Sequence, residues 1–484
     1  MQSQEGTTSI CDPVTGSPLF YTNGLDIYDA STNIKFNATT MLGGSSSTQS
    51  ATIVPKPGAA NTWLVFTANT DPGTGTPGGL NYYTVTGTPG AFSISAATNL
   101  LSSTQNGEGI VIVGSTNAAY SYWVVVRERL TANYLAYPIT TAGAVGAPVS
   151  SSVSTLAGWN SYIGTLKANV CQTKVAATYY NNGITELMDF NASTGVLSGT
   201  VSIAIPHSYG LEFSNDGVYL YITQLDEGIL HQYNIGAATD FTQASWDRNT
   251  GLGELGQLQL APDNKIYVAI TGGGSSAEYI GVINSPTLAG NAANFVMNAI
   301  QVNTVPSTDG YSYRGLPTFP KSLVVSNPTL FPGTSGQCVS TSIPLSFSFG
   351  GSVNPATISW TAAGGGQTFS PGGASSTAAA PSVSFSSTGA KTITLSFNDN
   401  CGRAYTKNMT LTSMNPLVPA GSISCGTGAL TLTATGTVPA DYPNYTWYDA
   451  ASGGNVLGVG SPVTLNNADF THTPTSVWVE VASS

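Results

Sequence analysis

Apolar and polar residues alternate in short runs over the first two thirds of the chain. The segment YGLEFSNDGVYLYITQLDEGILHQYNI, residues 209–235, shows the unit. It holds an apolar run, an Asn-Asp-Gly turn, a run rich in aromatic and β-branched residues, a break and a third run. Runs of period two are strands, and Asn215-Asp216-Gly217 tolerates the left-handed backbone of a hairpin turn. The unit recurs. Paired runs begin at Ser9, Ala51, Ile110, Tyr162, Leu211 and Leu258, and each is followed by a third: LDIYDA, LNYYTV, NYLAYPI, ITELMDF, ILHQYNI and YIGVIN. With Leu19, Leu64, Trp123, Val175, Tyr219 and Ile266 as equivalent second-strand positions, the spacings are 45, 59, 52, 44 and 47 residues. A period near 40–50 residues with about four strands per unit predicts a β-propeller. A 3.6-residue period is absent throughout, so almost no helix is expected.

After the sixth unit comes YSYRGLPTFPKSLVV, residues 311–325, whose GLPTF resembles the GLEFS of residues 210–214. It reads as a seventh innermost strand whose outer strands are hard to find. The expected fold is all-β: a propeller over residues 1–322 with seven blades, six being the alternative, then two sandwiches. Residues 323–413 carry Cys338, Trp360 and Cys401 in the Cys…Trp…Cys order of an immunoglobulin-like sandwich, at spacings of 22 and 41. A Cys338–Cys401 disulfide would staple its two sheets across Trp360. Residues 414–484 read as a second immunoglobulin-like sandwich, with Trp447 22 residues after Cys425. The same spacing puts a partner for Cys425 near position 488. This domain is therefore expected to continue past Ser484, with Cys425 unpaired here or bonded outside the chain.

Composition narrows the picture. Only 8% of residues are charged, against about 25% in an average soluble domain. With 41% hydrophobic and 10% aromatic residues, the chain is a folded one and not a disordered one. A net charge of −11 with 13 basic residues argues against nucleic acid and against an anionic membrane surface. No apolar run is long enough to span a bilayer. The opening MQSQEGTTSICD has no signal-peptide pattern, so any export signal is expected to be absent from this sequence or already removed. Five cysteines in a Ser/Thr-rich chain suggest an extracellular protein with one or two disulfides, the pairing of Cys11 and Cys171 being open.

The opening QEGTTSICDPVTGSPLFYTNGLDIYD, followed by LGGSSSTQSATIVPKPG, resembles propeller-bearing surface proteins of the Bacteroidetes that are exported by the type IX system and associated with gliding motility. GLEFSNDGVYLYIT and GLPTFPKS fit later blades of that group. Residues 330–412 resemble a PKD-like module, and CGTGALTLTATG with WYDAASGGNVLGVGSPVTL resembles the Ig-like repeats that follow in such proteins. The resemblance implies an exported, multidomain cell-surface protein engaged in adhesion or polymer display, and it transfers no catalytic residue. Strands expected before the first repeat and a C-terminal sorting domain are missing from the pattern.

The chemistry on offer is sparse. His207, His231 and His472 show no metal-ligand spacing, so no metal and no cofactor are expected. His207 precedes an innermost strand, where a ligand contact competes with the plainer reading of a loop histidine. Glu108, Glu212 and Arg314 join it as candidates to face a central channel, against the alternative of buried polar contacts between blades. Asp226 and Glu227 read as a solvated turn. NDNCG, residues 398–402, offers oxygens for calcium but reads better as a hairpin. Asn37, Asn191, Asn408 and Asn444 stand in glycosylation sequons. The expected function is a non-enzymatic surface protein, adhesive or a fibre subunit joined by strand exchange between chains, with glycans or other surface components as partners. The alternative is a carbohydrate-binding, lectin-like or carbohydrate-active propeller.

Overall fold

A computed structural model of the protein describes residues 4–13, 15–69, 78–129, 131–156, 162–235, 242–249, 254–272, 275–276, 279–302, 312–320, 328–331, 336–349, 353–399, 401–414, 418–422, 430–435, 445–450, 454–460, 462–465 and 477–481. Contacts divide the chain into two compact units: Met1–Ser326 with Gly350–Ser352, and Asn327–Phe349 with Val353–Ser484.

Among the described residues, the first unit contains six antiparallel sheets built in chain order. They are β1–β3 (Thr8–Cys11, Pro18–Thr22, Ile27–Asp29); β4–β6 (Ala51–Pro55, Thr62–Asn69, Gly79–Thr86) with short outer strands β7 (Ser93–Ile94) and β8 (Thr98–Leu101); and β9–β12 (Asn106–Gly114, Tyr120–Glu128, Asn133–Thr140, Val149–Ser152). Then come β13–β16 (Leu166–Ala168, Lys174–Tyr179, Ile184–Phe190, Leu197–Ala204); β17–β20 (Ser208–Phe213, Tyr219–Gln224, Ile229–Asn234, Thr242–Asn249); and β21–β25 (Glu254–Leu260, Ile266–Gly272, Ser275–Ser276, Tyr279–Ile283, Phe295–Gln301). The six residues taken as second-strand equivalents all fall in the second strand of their sheet. Helix among the described residues is confined to short 3₁₀ turns such as Tyr180–Asn182. No described helix is long and apolar enough to cross a membrane.

Period two explains why the middle sheets are buried on both faces. In the third sheet Val111, Val113, Trp123 and Val125 pack toward the fourth, against Leu166, Val175 and Met188. Their neighbours Ile110, Ile112, Val124 and Val126 point the other way, against Leu64, Phe66 and Leu80 of the second sheet. Alternate side chains on a strand face opposite sides, so a run such as Trp-Val-Val-Val feeds two cores at once. The first and second sheets share Phe20, Ile53 and Trp63; the fourth and fifth share Leu187, Leu211 and Phe213; the fifth and sixth share Tyr221, Leu258 and Val268. Consecutive sheets stacked face to face in this way make a β-propeller.

The ring closes through residues 312–320, as the GLPTF likeness predicts for an innermost strand. On one side the Gln257 amide donates to the Arg314 carbonyl (2.7 Å). On the other the Thr318 amide donates to the Thr7 carbonyl (2.8 Å), and the Thr8 hydroxyl donates to the Thr318 carbonyl (2.6 Å). The chain's own residues therefore occupy this inner position; strand exchange between chains was expected at the outer strands of the last blade. The places for outer strands, residues 303–311 and 321–327, lie outside the described residues.

The second unit holds two buried clusters. Trp360 centres the first, with Leu345, Phe369, Ile393 and Leu395 around it, and its indole nitrogen donates to the Ala378 carbonyl (3.1 Å). Trp447 centres the second with Leu432, its indole nitrogen donating to the Gly460 carbonyl (2.9 Å). Cys171 and Cys401 are each disulfide-bonded, whereas Cys11 is free and exposed, so Cys11 and Cys171 do not pair with each other. Cys338, expected as the partner of Cys401, and Cys425 have side chains outside the described residues. Asn37 is corrected as a glycosylation candidate. It is 4% exposed, with its amide group donating to the Leu25 and Thr39 carbonyls and accepting from the Ile27 amide. Asn191 and Asn408 are exposed, and Asn444 lies outside the described residues.

A Cβ at Gly315 would collide with the Glu5 carbonyl at the closure point. Gly315→Ala is expected to lower stability by about 1–3 kcal/mol, read as a lower melting temperature of the full chain. An unchanged melting temperature would show that the closure is not under this constraint.

Candidate functional site

A cavity of about 650 Å³ opens where the innermost strands begin. Glu5 lies just before β1, Ser47 before β4, Glu108 near the start of β9, Tyr162 before β13, Tyr209 near the start of β17, and Arg314 at the start of the closing segment; all six line it. One cavity touched by so many inner strands sits on the ring axis.

The backbone explains this convergence. A glycine follows the lining residue at Glu5-Gly6, Glu108-Gly109, Tyr209-Gly210 and Arg314-Gly315, and Gly256 follows Leu255 at the equivalent place in β21. A Cβ on Gly210 would strike the Gly256 carbonyl, one on Gly256 would strike Arg314, one on Gly315 would strike Glu5, and one on Gly6 would strike Ser50. Neighbouring inner strands thus touch backbone to backbone, and Glu5, Tyr209 and Arg314, each just before such a glycine, reach the cavity, whereas Leu255 packs in the core between the fifth and sixth sheets.

The two carboxyl groups in the cavity have opposite surroundings. Glu108 Oε2 accepts from the Thr48 amide (3.0 Å) and the Thr48 hydroxyl (2.8 Å). The buried Arg129 guanidinium lies 4.4 Å from the Tyr162 ring centroid, and its charge interacts favourably with Glu108. Donors and a nearby cation suit an ionised carboxylate. Glu5 is 7% exposed. Burial first, then the negative charge of Glu108, push its pKa up to about 8, with Arg314 and a hydrogen bond to Tyr209 opposing. At neutral pH Glu5 therefore keeps its proton beside an anionic neighbour. The Tyr209 phenol, fully buried, is itself pushed up by burial and by Glu5 and Glu108.

Arg314 completes the wall. Its Nε and Nη2 donate to the two oxygens of Glu254 (2.9 Å each), while Nη1 lies 3.9 Å from Glu5 Oε1. The Arg314 fork and a hydrogen bond from Thr271 hold the Glu254 carboxyl below its usual range. Deeper in, the channel is plugged. The Gln49 side chain accepts from the amides of Ile110 (3.1 Å) and Leu166 (2.7 Å) and donates to the Leu166 carbonyl (3.0 Å).

Of the residues expected from sequence, Glu108 and Arg314 meet in the cavity. His207 stands outside it: its Nδ1 lies 2.8 Å from Glu227 and 3.3 Å from Asp226, and its ring stacks on Tyr180, which lines the cavity. Asp226 and Glu227 stand in an exposed turn, as expected, and both lie within reach of His207. Glu212 is corrected as a channel-facing group. It is fully buried, accepts from the Phe213 (2.8 Å) and Leu260 (3.0 Å) amides, and pairs with buried Lys167 at 3.5 Å. Asp399 of the NDNCG turn accepts from the Cys401 and Arg403 amides and from Arg403 Nε, which closes the hairpin. No group of metal-ligating side chains occurs among the described residues. Glu5, Tyr162, Tyr209 and Glu254 were missed, and the residue-then-glycine pairs Glu5-Gly6 and Tyr209-Gly210 were the signal that marks the first and third of them.

No protein-family model matches the chain, and no curated protein matches it. Solved structures with which it aligns include the periplasmic gluconolactonase PpgL of Pseudomonas aeruginosa, at 10% identity over 84% of this chain and 96% of that one, TM-score 0.40. Another, from Bacteroides uniformis, is provisionally named a 6-phosphogluconolactonase, at 12% identity over 64% and 83%, TM-score 0.37. A luciferin-regenerating enzyme aligns at 10% identity over 55% and 84%, TM-score 0.35. The names these structures bear are those of enzymes, against the expectation of a non-enzymatic protein, and at 10–12% identity and TM-scores of 0.35–0.40 they assign no activity to this chain.

Two outcomes follow from the site's electrostatics. Glu5 has a folded-state pKa above its value in an unfolded chain, so the stability it confers is whole below about pH 4.5 and is lost as pH rises through about 8. Comparing melting temperatures of wild type and Glu5→Gln from pH 5 to 9 should show wild type losing ground steadily; a constant difference would refute the assignment. Glu212→Gln should cost about 3–5 kcal/mol in urea titration by stranding Lys167, and should leave binding in the cavity unchanged.

Proposed function

We propose that the propeller mouth is a carbohydrate site with hydrolytic chemistry, carried by an exported protein. The observation that supports it is the pair Glu5 and Glu108: two carboxyl groups in one cavity, one protonated at neutral pH and one surrounded by donors. A carboxyl that burial keeps protonated beside one that accepts hydrogen bonds can serve as acid and base. In the proposed reaction a water attacks the carbon of a sugar C–O bond while Glu108 takes its proton. Glu5 gives its own proton to the departing oxygen, and the proton on Glu108 later returns to Glu5 through solvent, so the net change is addition of one water. A volume of about 650 Å³ suits a small sugar. Tyr162, Tyr180 and Tyr209 offer ring faces and hydroxyls, and Ser45–Ser47 and Asn69 offer further hydrogen-bonding groups.

The finer architecture belongs to the same reading: seven blades, with residues 312–320 as the innermost strand of the last, and PKD-like and Ig-like modules in the second unit. So does an extracellular place at the cell surface, as a free-standing head or a fibre subunit. The disulfide-bonded Cys171 and Cys401 favour an oxidising compartment.

The test is turnover of a panel of 4-nitrophenyl glycosides and aldonolactones. Glu108→Gln should lower turnover by about 10²–10⁴-fold with the melting temperature kept, and activity should fall as pH rises above about 8, where Glu5 loses its proton. Wild-type turnover of none of these compounds, or full activity in Glu108→Gln, refutes the reading.

A further inference from the structure

We infer that the sugar taken by this cavity carries a carboxylate, which docks on Arg314 Nη1; this rests on the carbohydrate reading of the site. The guanidinium is planar and presents its donors along fixed edges. Two of its three nitrogens are used by Glu254 in a two-pronged pair at 2.9 Å. That pair fixes the plane and leaves Nη1 as the remaining edge. Among the described residues the acid facing it is Glu5, whose Oε1 lies at 3.9 Å, beyond hydrogen-bond distance.

Exposure runs the same way. The Arg314 side chain is 38% exposed, while its partners Glu254 and Glu5 are 14% and 8% exposed. The cation faces the cavity and its counter-charge stands behind it. Glu5 keeps its proton at neutral pH and so does not cancel the charge from the other side. The exposed Ser45 and Ser46 of the glycine-serine loop line the same cavity and offer hydroxyls to the rest of a sugar ring. An anion on Nη1 would also lie near the Glu5 carboxylic acid, which donates a hydrogen bond only while protonated. A carboxylate brings opposite charge and a planar pair of oxygens to this guanidinium edge, neither of which a neutral hydroxyl supplies.

The experiment compares D-glucuronate and D-galacturonate with D-glucose and with the methyl ester of glucuronic acid, by calorimetry on the wild-type chain. The ester keeps the ring and removes the charge, so no folding question enters. At least one uronate should bind tenfold or more tightly than the ester and glucose. That preference should weaken as salt is raised, and Arg314→Lys, which keeps the charge but loses the fork, should shrink it. Equal affinity for uronate and ester overturns the anion inference and leaves the carbohydrate reading standing. Binding of none of the four overturns both.

Discussion

Backbone contact between neighbouring inner strands is the constraint on which the first unit depends. Gly210 against Gly256, Gly256 against Arg314, Gly315 against Glu5 and Gly6 against Ser50 are approaches that leave no room for a Cβ. A side chain at any of these places would push two sheets apart at the axis, where the wedge-shaped space between them is narrowest. The consequences spread outward. The faces meet closely enough for Phe213, Val125 and Phe66 to be fully excluded from water. They spread inward as well, because Glu5, Tyr209 and Arg314, each just before such a glycine or in contact with one, line the cavity at the axis. Fold and site are two results of one repeated dipeptide.

Much of the fold was legible because burial on both faces leaves a plain trace. A strand between two cores cannot place polar groups on either side, so runs such as Trp123–Val126 stand out, and hairpin turns separate them. The six second-strand positions followed from this. The site was harder to read, because its members come from residues 5, 108, 209 and 314, and only ring closure makes them neighbours. Glu108 and Arg314 were found by their nearness to an inner strand. Glu5 was missed because it precedes the first recognisable run. Glu212 was misplaced by depth: it lies three residues beyond Tyr209, about 10 Å further along the strand, where it meets Lys167 and not the cavity.

A chain with so few charges uses most of its internal ones in pairs. Lys167 with Glu212 and Arg314 with Glu254 are matched. A further network joins Glu186 to the hydroxyls of Tyr134, Ser154 and Thr155, with Arg127 stacked over Tyr179 close by. Burial of a charge is tolerated when partners replace its water. Against that background Glu5 differs, since its environment favours the neutral acid. The difference is positional. The Glu108 carboxylate has the Thr48 amide and hydroxyl within hydrogen-bond reach, while Glu5 has an anion as neighbour and a guanidinium held off at 3.9 Å by a stronger claim from Glu254.

Glu5 therefore answers to two demands through different atoms. Its backbone is the surface against which Gly315 closes the ring, and its carboxyl is the acid in the cavity. The closing segment makes the same double use of Arg314, whose carbonyl accepts from Gln257 while its guanidinium lines the mouth. Acid and cation are consequently set opposite each other by the very contact that joins the first inner strand to the last. An open ring would leave Glu108 with Thr48 but without Glu5, so the carboxyl pair exists only in the closed propeller. That coupling explains how a surface nearly empty of charge assembles a charged site without any local motif to announce it: the motif is the closure itself.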